Sequence, residues 1–315
     1  MSEKSSIMVG GQAVLEGVMM RSPDVVSVAV RKPDGNIIVK KEPFTSWTKR
    51  FKFLGWPLLR GGVVLIESMV MGMKALNFSS MIAMEEEEKT NPKKKNKTDK
   101  ESKKGTDLTI VFTMIVAFGL GIGLFFYLPL ILTEKTGVQT GLGFNLIDGL
   151  IRLTFFLIYL LLISLWKDIR RVFEYHGAEH KSIFAYENKQ PLTVKSVKSY
   201  TTHHPRCGTS FLLVVMLVSI LVFIPLGKPD NISERLIRLL FIPLIGGISY
   251  EIIRLSNSRY GKKISQILVA PGLWLQYITT KEPDDQQLEV ALVALKAALN
   301  QDVGNAEWYT QESGQ

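Results

Sequence analysis

The chain has 315 residues, 46% hydrophobic and 21% charged, with a formal charge of +9. A mean hydropathy of +0.16 is too high for an ordinary charged soluble domain, so the apolar residues must be segregated along the chain, as in a membrane protein with polar loops. The basic residues flank apolar segments without any aromatic-basic stripe, which argues against nucleic acid and for membrane topology and anionic lipid. The single cysteine rules out an intramolecular disulfide.

The first residues, MSEKSSIMVGG, lack an apolar core before a small-residue cleavage site, so no removable signal peptide is expected. GGQAVLEGVMMRSP follows. Its glycines free the backbone, and Gln12, Glu16 and Arg21 put polar groups into an apolar string. Two readings are open: a loop lining a site, with Glu16 as an acid-base candidate, or a strand with glycine bends. Next, VVSVAVRKPDGNIIVKKEP gives two β-branched runs around Pro-Asp-Gly, a hairpin. Residues 1–52 therefore form a small N-terminal β element.

Residues 53–84 are apolar, with Arg60, Glu67 and Lys74 seven apart on one helical stripe, an amphipathic helix expected to lie in the interface or against the bundle in preference to a fifth span. Residues 85–107 hold eight lysines and read as a charged flexible linker. Four spans are expected within 108–255. Leu108 to Thr133 contains 26 uncharged residues, more than the roughly 20 needed to cross. The second, about 144–166, carries Asp148 and Arg152 at i,i+4 spacing, able to pair. The third runs about 209–226. The fourth, about 235–255, leaves only 12 uncharged residues between Arg238 and Glu251. Residues 256–315 comprise an interfacial segment with Trp274 and Tyr277, then an amphipathic helix with an acidic start. The fold expected is mainly α and polytopic.

Basic-rich loops alternate with basic-poor ones, which puts both chain ends and the loop 167–208 on the cytoplasmic side. All four histidines and the only cysteine fall within that loop. In HGAEH, His176 and His180 share one helical face, the spacing that lets two imidazoles bind one ion. With Glu179 this matches the H-x-x-E-H pattern, in which the glutamate activates water. Gly177 argues against a regular helix there. HHPRCGT adds His203, His204 and Cys207, imidazoles and a thiolate that suit a divalent ion such as zinc. His204 or Cys207 is the third ligand in this reading, and a shell closed by four such ligands would be structural. Glu251 returns to the same depth, where it needs Arg254, a proton or metal.

The stretches GGQAVLEGVMMRSP, YHGAEHKSIFAYE, LTVKSVKSYTTHHPRCGTSF, PLIGGISYE and APGLWLQYITTKEPDDQQLEVALVAL resemble the YqhQ-like family of bacterial multi-pass membrane proteins. The resemblance implies a protein of the bacterial cytoplasmic membrane and a metal-dependent enzyme, with no substrate attached. His176, Glu179, His180, His204, Pro205, Arg206 and Cys207 fit its motifs; His203 does not. The function expected is a zinc-type hydrolase acting on a lipid-linked or membrane-protein substrate in the bilayer. A metal-bearing scaffold or regulator is the alternative. A metal-ion transporter is least favoured, because the first and third spans carry no carboxylate or histidine.

Overall fold

The structure, a computed structural model, describes residues 7–90, 103–256 and 262–309. The centre of the lysine-rich linker lies outside them. Four strands form an antiparallel meander: β1 (Gly10–Val14), β2 (Gly17–Arg21), β3 (Val25–Arg31) and β4 (Ile37–Pro43). The expected hairpin is β3–β4, closed by Gly35 at φ +93° and by the Asp34 carboxylate accepting from the Asn36 amide at 2.9 Å. The glycine-rich N-terminal stretch extends it by two strands, and a two-residue β5 (Glu307–Trp308) pairs parallel to β4.

Both faces of this sheet are covered at its centre, so β2 and most of β3 are buried without alternation. Val18, Met20, Ala29 and Val39 face α5 (Lys167–Glu187) and α10 (Asp285–Ala298), while Val14, Met19, Val28 and Val30 face α1 (Leu59–Thr90). Each fully buried aliphatic side chain contributes roughly 1.5–3 kcal/mol, and β2 buries four of its five residues. Helix α10 starts with a reciprocal cap between Asp284 and Gln287. Its Ala294 carbonyl accepts from Ser27 at 2.6 Å, which ties the helix to the sheet.

Below this head, four segments are long and apolar enough to cross a membrane: Ile115–Lys135, Gly141–Ser164, Gly208–Leu226 and Ile232–Leu255. The first joins α2 (Lys103–Ile122) through a single π-turn to α3 (Leu128–Lys135), whose early Pro129 disturbs the regular ladder. The second is α4 (Gly141–Ser164) and the third begins as α6 (Gly208–Phe223). The fourth breaks at Phe241 into α7 (Ile232–Leu240) and α8 (Ile242–Ser256). Leu120, Leu161 and Leu240 point outward, as lipid-facing residues would. Asp148 pairs with Arg152 at 2.8 Å, and Arg238, 1% exposed, donates to the Gly227 carbonyl at 2.6 Å. All three of these charged side chains thereby have partners.

Helix α1 packs on the sheet and on α8. There Glu251 pairs with Arg60 of α1, a partner the sequence reading did not supply, since it had considered Arg254. The histidine-bearing segment is mostly helical, and α5 runs unbroken through Gly177. A β-carbon at that position would lie 2.1 Å from the Lys281 carbonyl oxygen, so the glycine serves close packing and not a break.

Candidate metal centre

Helix α5 rises from the end of the second span and carries His176, Glu179 and His180 on adjacent turns. Cys207 is the N-cap of α6, and its sulfur accepts from the Thr209 amide at 3.4 Å. α9 (Lys262–Thr279) closes the third side. Gln276 of α9 holds the turn at His204 by a double clasp, accepting from the His204 amide at 2.7 Å and donating to its carbonyl at 2.9 Å.

Two backbone carbonyls orient the imidazoles. His176 Nδ1 lies 2.8 Å from the Thr279 oxygen and His180 Nδ1 lies 2.5 Å from the Thr202 oxygen. A carbonyl only accepts, so each Nδ1 carries hydrogen and each Nε2 is left with its lone pair. One ring nitrogen from each histidine and the Cys207 sulfur lie within 4.8 Å of one another, with His176 Nε2 at 3.1 Å from the sulfur. Tetrahedral zinc separates such ligands by about 3.3–3.6 Å, so an ion would draw the widest separation in and open the His176–sulfur contact slightly. His180 is 1% exposed, and its Nε2 has no hydrogen-bond partner. A buried acceptor in that state is what a cation would satisfy.

The electrostatics agree. Burial holds the His180 imidazole below its ordinary value, hence neutral and able to ligate. Burial also pushes the Cys207 thiol up, but the neighbouring His180 and Thr209 outweigh it and hold the thiol below its usual range. Glu179, 5% exposed, lies beside this trio with Oε2 unpartnered. Burial pushes its carboxyl up to about 8, opposed by His176 and the Gly11 amide and reinforced by the Cys207 sulfur. A β-carbon on Gly11 would lie 2.9 Å from the Glu179 carboxyl carbon, so only glycine lets β1 pass this close.

A stability prediction follows for metal-free protein. Its folded state keeps a proton on Glu179 that the unfolded chain loses near pH 4.3, so stability should fall as pH rises from there to about 8. At about 1.4 kcal/mol per unit the fall is on the order of 3–5 kcal/mol. Thermal melts of chelated protein across this window should show it, and Glu179→Gln should flatten the slope.

The remaining candidates are dispersed. His204 borders the same cleft, but its Nδ1 accepts from the Arg206 amide at 3.2 Å and its Nε2 faces Glu187 at 3.4 Å. Burial pushes it down to about 4. His203 lies against the Tyr277 ring, 4.3 Å between centroids. Glu16 occupies the β1–β2 turn at φ 51°, paired with Arg171 and accepting from the Tyr175 hydroxyl at 3.2 Å. Glu251 remains with Arg60. None of these four belongs to the three-atom group. Thr202, Thr279 and Gln276 also support the site without having been expected from sequence, whereas Gly11 belongs to the stretch read as a possible site-lining loop. The first two act through main-chain oxygens, which have no side-chain signature, whereas Gln276 stood out as an amide within the apolar GLWLQY stretch.

The site opens into a cleft of about 450 Å³ bordered by β1, α5 and the start of α6. A separate cavity of about 270 Å³ between the sheet and α1 is lined by Lys40, Glu67 and Lys74, with no histidine or cysteine.

Residues 56–301 match the model of a family described as "Protein of unknown function (DUF1385)". The chain is also 36% identical over 297 residues to "Uncharacterized protein YqhQ" of Bacillus subtilis (strain 168), covering 92% of both chains. No solved structure matches it. With most of its length accounted for by that model and that relative, the chain belongs to the DUF1385 family.

Proposed function

We propose that the protein is a metal-dependent hydrolase embedded in the bacterial cytoplasmic membrane, with both chain ends and the His/Cys site on the cytoplasmic side. The single observation carrying this reading is that both imidazoles, each oriented through Nδ1 by a backbone carbonyl, bring a ring nitrogen within 4.8 Å of the cysteine sulfur. His176, His180 and Cys207 would hold a zinc-type divalent ion. A bound ion of this kind supplies Lewis acidity and a positive charge that favours the ionised form of a nearby carboxyl and of water.

The chain's own residues do the rest. Glu179, beside the ligands but outside the three-atom group, takes a proton from the attacking water and returns it to the leaving group. Gly11 fixes that carboxylate through its amide. Three protein ligands leave the fourth tetrahedral position for water or substrate. The orientation rests on lysine and arginine enrichment in alternate loops.

A second reading, a non-enzymatic scaffold whose metal joins α5 to the start of α6, draws on the near-complete burial of His180 and Cys207. Glu179→Gln separates the two. The variant should keep wild-type metal content and fold, yet lose about 10²–10⁴-fold in turnover, the usual contribution of general acid-base catalysis. A complementation assay in which the variant performs like wild type would favour the scaffold.

A further inference from the structure

The cleft has a wall that the proposed chemistry does not use. Among the described residues, β1 is the outer strand of its sheet, paired only with β2. The pair closes at Val14↔Gly17 around a two-residue turn, and hydrogen-bonded pairs then alternate along it, so Gln12 and Gly10 bond inward to β2. Gly11 and Ala13 turn their amides and carbonyls outward. Consistent with this, the Gly11 amide reaches the Glu179 carboxyl. Gly11, Ala13, Glu179 and His180 all border one cleft, with Leu212 and Phe173 supplying apolar surface along it. The Ala13 amide and the outward carbonyls of Gly11 and Ala13 are a template for another strand.

We propose that the substrate is a polypeptide segment in extended conformation, bound by adding a strand to the free edge of β1, so that its backbone crosses the face of α5 that bears His176, Glu179 and His180. This inference rests on the hydrolase reading above and adds the substrate class. The reaction is peptide-bond hydrolysis. The water oxygen bonds to the scissile carbonyl carbon, the carbon–nitrogen bond breaks, and one water proton passes through Glu179 to the departing nitrogen. The products are a carboxylic acid and an amine, which ionise to carboxylate and ammonium as the second water proton passes from the acid to the amine, with no oxidant or further reactant. Because the cleft abuts the first turn of the apolar helix α6, the segments it reaches best are those flanking the spans of other membrane proteins.

Two experiments on the full-length, metal-loaded protein in detergent test this. The probe is a pool of unstructured ten-residue peptides with apolar residues at alternate positions, whose cleavage is followed by mass spectrometry. Ala13→Pro removes one outward amide while leaving the β1–β2 ladder intact. It should keep wild-type metal content and lose about 10-fold in kcat/KM, mainly through KM, as for one lost hydrogen bond. The second readout needs no turnover. In Glu179→Gln protein the peptide pool should slow hydrogen exchange at the Ala13 amide about 10-fold, which keeps the test valid should the proline variant fail to fold. If wild type carries metal but neither cleaves the pool nor protects that amide, the peptide inference falls and the metal centre stands. Unchanged kcat/KM in a folded Ala13→Pro variant also overturns it. If wild type holds no metal, the underlying reading fails first.

Discussion

His180→Ala should leave the purified protein almost free of metal. Removing a group that only orients a ligand typically costs 10–100-fold in affinity, so losing a ligand outright should cost at least about 100-fold. His180 is the strongest choice because it is the deepest of the three, its Nδ1 is fixed by the Thr202 carbonyl, and its Nε2 has no other partner. Elemental analysis of wild type, His180→Ala and His203→Ala in parallel gives the answer. His203 faces Tyr277 and lies outside the three-atom group, so its variant should retain metal. A full complement in His180→Ala would refute the ligand assignment.

Gly177→Ala should destabilise the protein, although alanine is the better helix former by about 1 kcal/mol. The added carbon would sit 2.1 Å from the Lys281 carbonyl oxygen and 3.1 Å from the Thr202 side chain. The first of these is backbone, held by the Lys281 amide donating to the Phe173 carbonyl at 2.9 Å, so it cannot rotate away. Forcing α5 and the segment after α9 apart should cost about 3 kcal/mol, at the upper end of ordinary overpacking. It should also loosen the metal site, since Thr202 orients His180. Gly62→Ala on α1 is the control, because nothing lies within 4 Å of its added carbon. That variant should be neutral or slightly stabilised. Thermal melts in detergent compare the three, and a Gly177→Ala protein as stable as wild type would contradict this packing account.

The parts of this fold legible in sequence are those written in local pattern. Apolar runs marked all four crossings, although the first begins at Ile115, seven residues after the expected Leu108, and the fourth has the shortest uncharged stretch. Pro-Asp-Gly between β-branched runs marked β3–β4. The i,i+4 spacing gave His176 and His180 a common face, and the i,i+4 pairing of Asp148 with Arg152 is present. What escaped depends on contacts between distant segments. β5 has two residues and no periodicity; it exists because β4 offers it an edge. The Arg60–Glu251 pair joins residues 191 apart, which no local window contains. Gly11 and Gly177 read as breaks or bends, yet each marks a place where another segment comes too close for a side chain. The carbonyls of Thr202 and Thr279 belong to the backbone, so any residue type would have supplied them.

The bond from Ser27 to Ala294 spans 267 positions, and all four apolar crossings lie between its ends. A ribosome delivers the strands first and the helix that seals them last. Through most of translation the apolar side of β2 and β3 therefore lacks its cover, and α5, with its histidines, lacks the neighbour that presses it into place. Assembly of this head thus waits for its last helix, which couples completion of the candidate site to synthesis of everything in between.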